Sequence, residues 1–188
     1  MKNLQNEKGF TLVELAIVMT IIGLLIGGIL KGQELMENAR VTSTLAQVKG
    51  YEGAVTTFAD TYDAIPGDIP NAVTRLPNCA GCNAAVGTPG DSIIGLTGTV
   101  SASQSAVNTE PTLFWTHLLK ANLISGVTDS ALAGTPSIQW GETHPSAPIG
   151  GGFTVAHGTG AADGNFAGGL QPVGNVLVLR PVIGQALN

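Results

Sequence analysis

Residues 10–30 read FTLVELAIVMTIIGLLIGGIL, twenty-one positions with a single charge, Glu14. As an α-helix this run spans about 31 Å, close to the roughly 30 Å hydrocarbon thickness of a bilayer. A helix that is apolar all round must be covered all round, by lipid or by other helices. A short polar stretch, MKNLQNEKG, precedes it with Lys2 and Lys8, and Lys31 follows it. Hydropathy alone suits a single-pass anchor or an uncleaved signal sequence. A secretory signal cut after its apolar run fits less well, because KGQELMENAR offers no A-x-A-like site of small residues.

Glu14 is the costly exception in this run. A carboxylate inside a membrane helix costs roughly 2.5–3.5 kcal/mol on insertion scales. It lies four residues beyond Phe10. A cut between Gly9 and Phe10 would place a new α-amino cation about one helical turn from it. Within one chain the two charges could partly neutralise each other. Between chains staggered lengthwise, the amine of one could meet the carboxylate of the next. Losing one partner of a buried pair is expensive even where the pair adds little net stability. Such a pair would act as a register device between apolar helices.

The segment KGFTLVELAIVMTIIGLL resembles the prepilin signature of type IV pilins and type II secretion pseudopilins. The resemblance implies that residues 1–9 form a leader ending in Gly9, removed by a membrane aspartyl peptidase. It implies N-methylation of the new terminal residue, Phe10, and an assembly role for Glu14. The partners it implies are the prepilin peptidase and methyltransferase, membrane lipid before assembly, an inner-membrane assembly platform with its ATPase, and other pilins in a homo- or hetero-oligomeric filament. The implied location is the bacterial inner membrane before assembly, then a surface pilus or a periplasmic pseudopilus. The resemblance is carried mainly by residues 1–62. YDAIPGDIPNA and EPTLFWTHLLKANLISG also look like segments of pilin-like proteins.

Beyond Lys31 the apolar pattern becomes one-sided. Leu35, Ala39, Leu45, Val48, Val55, Phe58 and Tyr62 recur at helical spacings, with Glu37, Arg40, Gln47, Lys49 and Glu52 between them. No Pro occurs before Pro66, and Ile65-Pro66-Gly67 supplies a stop. The expected organisation is a leader (1–9), a membrane and assembly helix (10–30), its amphipathic continuation (31–62) and an extracytoplasmic head (63–188). Gly23, Gly27, Gly28 and Gly32 permit close helix approach or local melting of the spine.

Residues 63–109 read as irregular loop with a short hairpin near 93–100. Pro111 and Thr109 mark the start of a second helix, whose apolar face includes Leu113, Phe114, Leu118, Leu119, Leu123 and Ile124, with Gly126 as its stop. Trp115 packs by default. Strands are expected at 137–140, 152–157 and 175–183, joined by Gly-rich loops at 150–152 and 158–169, with Pro181 marking an edge or strand end. The fold class is α+β: a long N-terminal helix against an antiparallel sheet, as in the pilin-like α/β-roll that the resemblance implies.

Composition narrows the functions. Charged residues are only 11% and the net charge is −5, which argues against a broad basic face for nucleic acid. No phosphate loop, H-E-x-x-H or nucleophilic triad motif is present, so neither a catalytic residue nor a cofactor is assigned, and the chain reads as a non-enzyme. Cys79 and Cys82 form C-A-G-C. An extracytoplasmic head would let them form a local disulfide. Thioredoxin-like redox chemistry lacks a βαβ context, and zinc would need ligands beyond one C-x-x-C, with His117, His144 and His157 scattered. No metal residue is assigned: Asp163 and Asn165 in GTGAADGNFAGG are too few for calcium and suit a turn. The function expected is a structural subunit of a type IV pilus or pilus-like filament. The alternatives are a type II secretion pseudopilin and, more remotely, a membrane-anchored redox or metal-binding protein using Cys79 and Cys82.

Overall fold

The computed structural model describes residues 9–83, 88–95, 109–128, 138–159 and 173–180. The described elements are α1 (Leu12–Tyr62), α2 (Ala72–Arg75), α3 (Glu110–Lys120), β1 (Gly152–Thr159) and β2 (Val173–Arg180). This is an α+β layout, a long apolar-fronted helix followed by an antiparallel two-stranded sheet. The chain divides into two compact units between Thr42 and Ser43.

In the first unit, α1 has a mean hydropathy of 2.5 over its most apolar stretch, and every side chain from residue 9 to 43 is exposed. Length and composition suffice to cross a membrane. Gly23, Gly27, Gly28 and Gly32 have open space where a Cβ would stand. Nothing among the described residues therefore requires small residues there.

In the second unit, the last five turns of α1 face the core. Thr44, Gln47, Val48, Tyr51, Ala54, Val55, Phe58 and Tyr62 are wholly or partly buried, at the three- and four-residue steps of one helix face. The expected stripe is corrected at its start. Leu35, Ala39 and Leu45 are exposed, because Leu45 stands about 100° around the helix from the buried Thr44 and the covered face begins only there. Tyr51 is the junction of three elements. Its ring meets Trp115 of α3 edge-on at 5.1 Å and Phe153 of β1 at 5.4 Å. Trp115 and Phe58 are fully buried. Asp63, in the left-handed region at φ 48°, ends α1 before the Pro66 turn is reached.

Strands β1 and β2 pair from Gly152 opposite Arg180 to Thr159 opposite Val173. β1 is covered on both faces through Phe153, Thr154, Val155 and Ala156, whereas β2 alternates between exposed and half-buried positions. Gly152 fits a tight place: a Cβ there would overlap the Trp140 ring and the Pro145 carbonyl.

Four expectations for the head are corrected. The second helix stops at Lys120, not at Gly126. Asn122, at φ 55°, occupies the left-handed position that glycine usually takes. The Leu123 amide then bonds the Leu118 carbonyl at 3.0 Å and the Asn122 amide bonds that of Leu119 at 2.9 Å, a closed Schellman end. Residues 138–140 are no strand, because the Gln139 carbonyl collects the amides of Glu142, Thr143 and His144 in a turn, leaving Trp140 with one isolated bridge to His144. The loop after α1 contains a short helix, α2. Residues 93–95 are not strand; the rest of the expected hairpin lies outside the described residues, as do residues 1–8, Ser137, Pro181–Ile183, Asp163 and Asn165.

Candidate functional site

The start of α1 is built by four residues. Thr11 precedes the first helical residue and Glu14 is the third. The Thr11 amide donates to Glu14 Oε2 at 2.9 Å, and the Thr11 hydroxyl donates to the same oxygen at 2.8 Å. The Glu14 amide donates to Thr11 Oγ1 at 3.3 Å. This reciprocal arrangement is a capping box: it satisfies two of the amides that a helix start leaves without intrahelical partners. It also places a negative charge in the first turn, where the helix dipole favours one. The sequence signal for this box is T-x-x-E at residues 11–14.

The box changes the account of Glu14. Its carboxylate does not stand bare in an apolar run, because neutral donors of its own turn already hold one oxygen. Phe10 is 90% exposed, and a Cβ on Gly9 would meet nothing within 4 Å. The fold places no demand for glycine at position 9. Further along, the Thr20 hydroxyl donates back to the Ala16 carbonyl at 2.8 Å, so its polar group is also satisfied within the helix.

Cys79 and Cys82 are bonded to each other, with Cα atoms 5.4 Å apart, and both are buried. Their loop is clasped by His117 of α3. The Gly67 amide donates to His117 Nδ1 at 2.9 Å, which leaves the proton on Nε2, and Nε2 donates to the Cys82 carbonyl at 3.0 Å. Burial lowers the His117 pKa to about 4 and keeps the ring neutral. The ring thus joins the turn after α1 to the backbone of the disulfide loop. His144 lies beside Trp140, and His157 pairs with Asn175. Neither is brought to the cysteines by any described contact. Redox exchange requires an accessible sulfur, and these two sit in the core with Phe114 and Trp115.

Residues 4–30 match the family model of the prokaryotic N-terminal methylation motif. No curated protein and no solved structure matches the chain. The chain carries the N-terminal signature of type IV pilins and pseudopilins, and among the described residues the one helix long and apolar enough to cross a membrane begins within the matched segment.

Proposed function

We propose that the chain is a structural subunit of a type IV pilus or pilus-like filament, made as a membrane-anchored precursor. The observation that carries this reading is the methylation motif laid over a helix start with an exposed Phe10, an unconstrained Gly9 and a capped Glu14. Prepilin peptidase cuts after Gly9, a residue that the fold itself does not need, and Phe10 is methylated. The apolar part of α1 holds the subunit in the inner membrane with the head outside the cytoplasm. Assembly exchanges lipid for sister helices around the same residues. Helices gain no hydrophobic driving force by leaving lipid for one another, so extraction is work for an assembly platform and its ATPase.

After the cut, the Phe10 amine joins the Thr11 donors around Glu14. The carboxylate oxygen left open by the capping box is free for the amine of a neighbouring copy, which sets the stagger between helices. Mass spectrometry of the mature N-terminus tests this reading. Methylated Phe10 is expected. Filaments built from chains that retain Met1 would overturn it.

A further inference from the structure

The turn at 139–144 and one end of the sheet meet at Gly152. An ideal Cβ there would stand 2.2 Å from Trp140 Cε3, so this face of the strand lies directly against the indole ring. Arg180 is the cross-strand partner of Gly152. Partners directly opposite each other project from the same face of a sheet, so the Arg180 side chain rises beside that ring. His144 completes the group, its ring edge-on to Trp140 with centroids 6.1 Å apart. Burial and then the Arg180 charge lower the His144 pKa, which sets the guanidinium close to the imidazole.

Each of the three presents a buried nitrogen with no hydrogen-bond partner among the described residues: Trp140 Nε1, His144 Nε2 and Arg180 Nε. Indole and guanidinium nitrogens only donate. The His144 nitrogen donates as well. Thr143 Oγ1 accepts the Gln139 amide at 2.9 Å and stands nearer to His144 Nδ1, at 2.9 Å, than to the Gln139 carbonyl, at 3.3 Å. Its proton therefore goes to Nδ1, and the neutral ring carries its own on Nε2. No acid answers the Arg180 charge. Burial alone lowers its pKa, and Arg180 enters no ion pair among the described residues. Water can satisfy a neutral donor but supplies no counter-charge, and an uncompensated charge taken out of water is costly. His144 is 1% exposed, whereas Trp140 and Arg180 are partly exposed, so the group opens to solvent on their side.

We propose that Trp140, His144 and Arg180 form a binding site for a carboxylate, held by the indole, imidazole and guanidinium N–H groups. Three donors without an acceptor, one of them charged, select an anion. The Nε side of a guanidinium offers two parallel N–H groups, a fork that matches the two oxygens of a carboxylate. His144 is the inner donor, and Arg180 supplies the charge at the solvent side. A free small acid and an acidic side chain of a second copy bring the same group to this site.

The test follows the indole N–H resonances of the isotope-labelled full chain in dodecyl maltoside micelles at pH 7, with Trp140→Phe identifying the Trp140 peak. Sodium acetate should shift that peak saturably, with half the effect on the order of 10 mM, and leave the Trp115 peak in place. Sodium chloride at equal concentration should give less than half the shift. Arg180→Gln should abolish the response. Arg180→Lys, which keeps the charge without the fork, should weaken it by about fivefold or more. Acetate-free spectra at higher chain concentration separate the sources. The same shift there assigns the carboxylate to a second copy, and a response to acetate alone assigns it to a free acid. The proposal is overturned if neither acetate nor chain concentration moves the Trp140 peak, if chloride acts equally, or if folded Arg180→Lys responds like wild type.

Discussion

Thr11 and Glu14 hold each other across the first turn of α1, each accepting the other's backbone amide. The same carboxylate therefore has two separable duties, capping a helix and carrying a charge. A capping box works with Gln as well as Glu at its third helical position. Glu14→Gln should preserve the helix start and the cut after Gly9, yet reduce filament yield at least tenfold. Immunoblots of sheared fibres against membrane-retained mature subunit measure this. Normal yield from the Gln variant would show that the charge does not set the stagger.

The partner of that variant is Thr11→Val, which keeps the charge and removes the hydroxyl. Losing a cap costs about 1 kcal/mol. Faster amide exchange in the first turn of α1 should follow, with Thr11→Ser restoring protection. Equal protection in all three chains would show that the box contributes nothing to the helix start.

Much of α1 was legible in the sequence because its two kinds of periodicity are local. An uninterrupted apolar run and a one-sided stripe need no knowledge of distant partners, and the strand at 152–157 declared itself in the same way. The sequence is ambiguous where the deciding contact is made by distant residues. Leu45 fits a helical stripe as well as Thr44 does, and only the packing of α3 and β1 on Tyr51 selects the buried face. Asn122 stopped α3 in place of Gly126 because Asn also tolerates the left-handed region, and the hydrogen bonds to Leu118 and Leu119 decide between them. At the candidate site, Gly9, Phe10 and Glu14 were legible as a motif. The clasp of His117 on Gly67 and Cys82 joins residues too far apart in sequence for any spacing rule to connect.

That clasp makes the head sensitive to acid. His117 Nδ1 must be unprotonated to accept the Gly67 amide. Its folded pKa is lowered to about 4 from 6.5 by burial, and that of His144 is likewise lowered to about 4 by burial and the Arg180 charge. A depressed pKa means that the unfolded chain binds more protons between these values. The stability due to each ring is thus complete above about pH 6.5 and is lost as pH falls through about 4. The loss is on the order of 3 kcal/mol per ring. The buried Glu110 carboxyl, raised to about 7, works in the opposite sense and offsets part of this loss between pH 7 and pH 4.5. Urea unfolding at the two pH values is therefore compared between wild type and His117→Gln, and the variant should lose less stability on acidification. An unchanged slope in that variant would remove His117 from the account.

The Cys79–Cys82 bond closes a loop of two intervening residues. Chain entropy assigns such a small loop roughly 2 kcal/mol. Cys79→Ser with Cys82→Ser should lower head stability by about that amount while filaments still form, as measured by urea unfolding and fibre yield. Complete loss of filaments from a chain that still folds would return the pair to a functional role.

Gly152 offers the sharpest test of packing in the head. Its backbone lies against the Trp140 ring and the Pro145 carbonyl, so a methyl group has no space on that side. Both obstacles resist adjustment. The Pro145 carbonyl already accepts the Phe153 amide at 3.0 Å, and the Trp140 ring is set edge-on against His144 at 6.1 Å. Overpacking typically costs 1–3 kcal/mol, and two rigid neighbours put Gly152→Ala at about 3 kcal/mol. The strain should appear first at the end of the sheet where Gly152 pairs with Arg180, exposing Trp140 and shifting its fluorescence to the red. Gly150→Ala is the informative comparison. Its Cβ would meet nothing, but its φ of 105° makes any side chain strained, so its loss comes from backbone conformation with Trp140 left in place. Equal red shifts in the two variants would mean that loosening the turn, and not contact with the ring, is what Gly152 prevents.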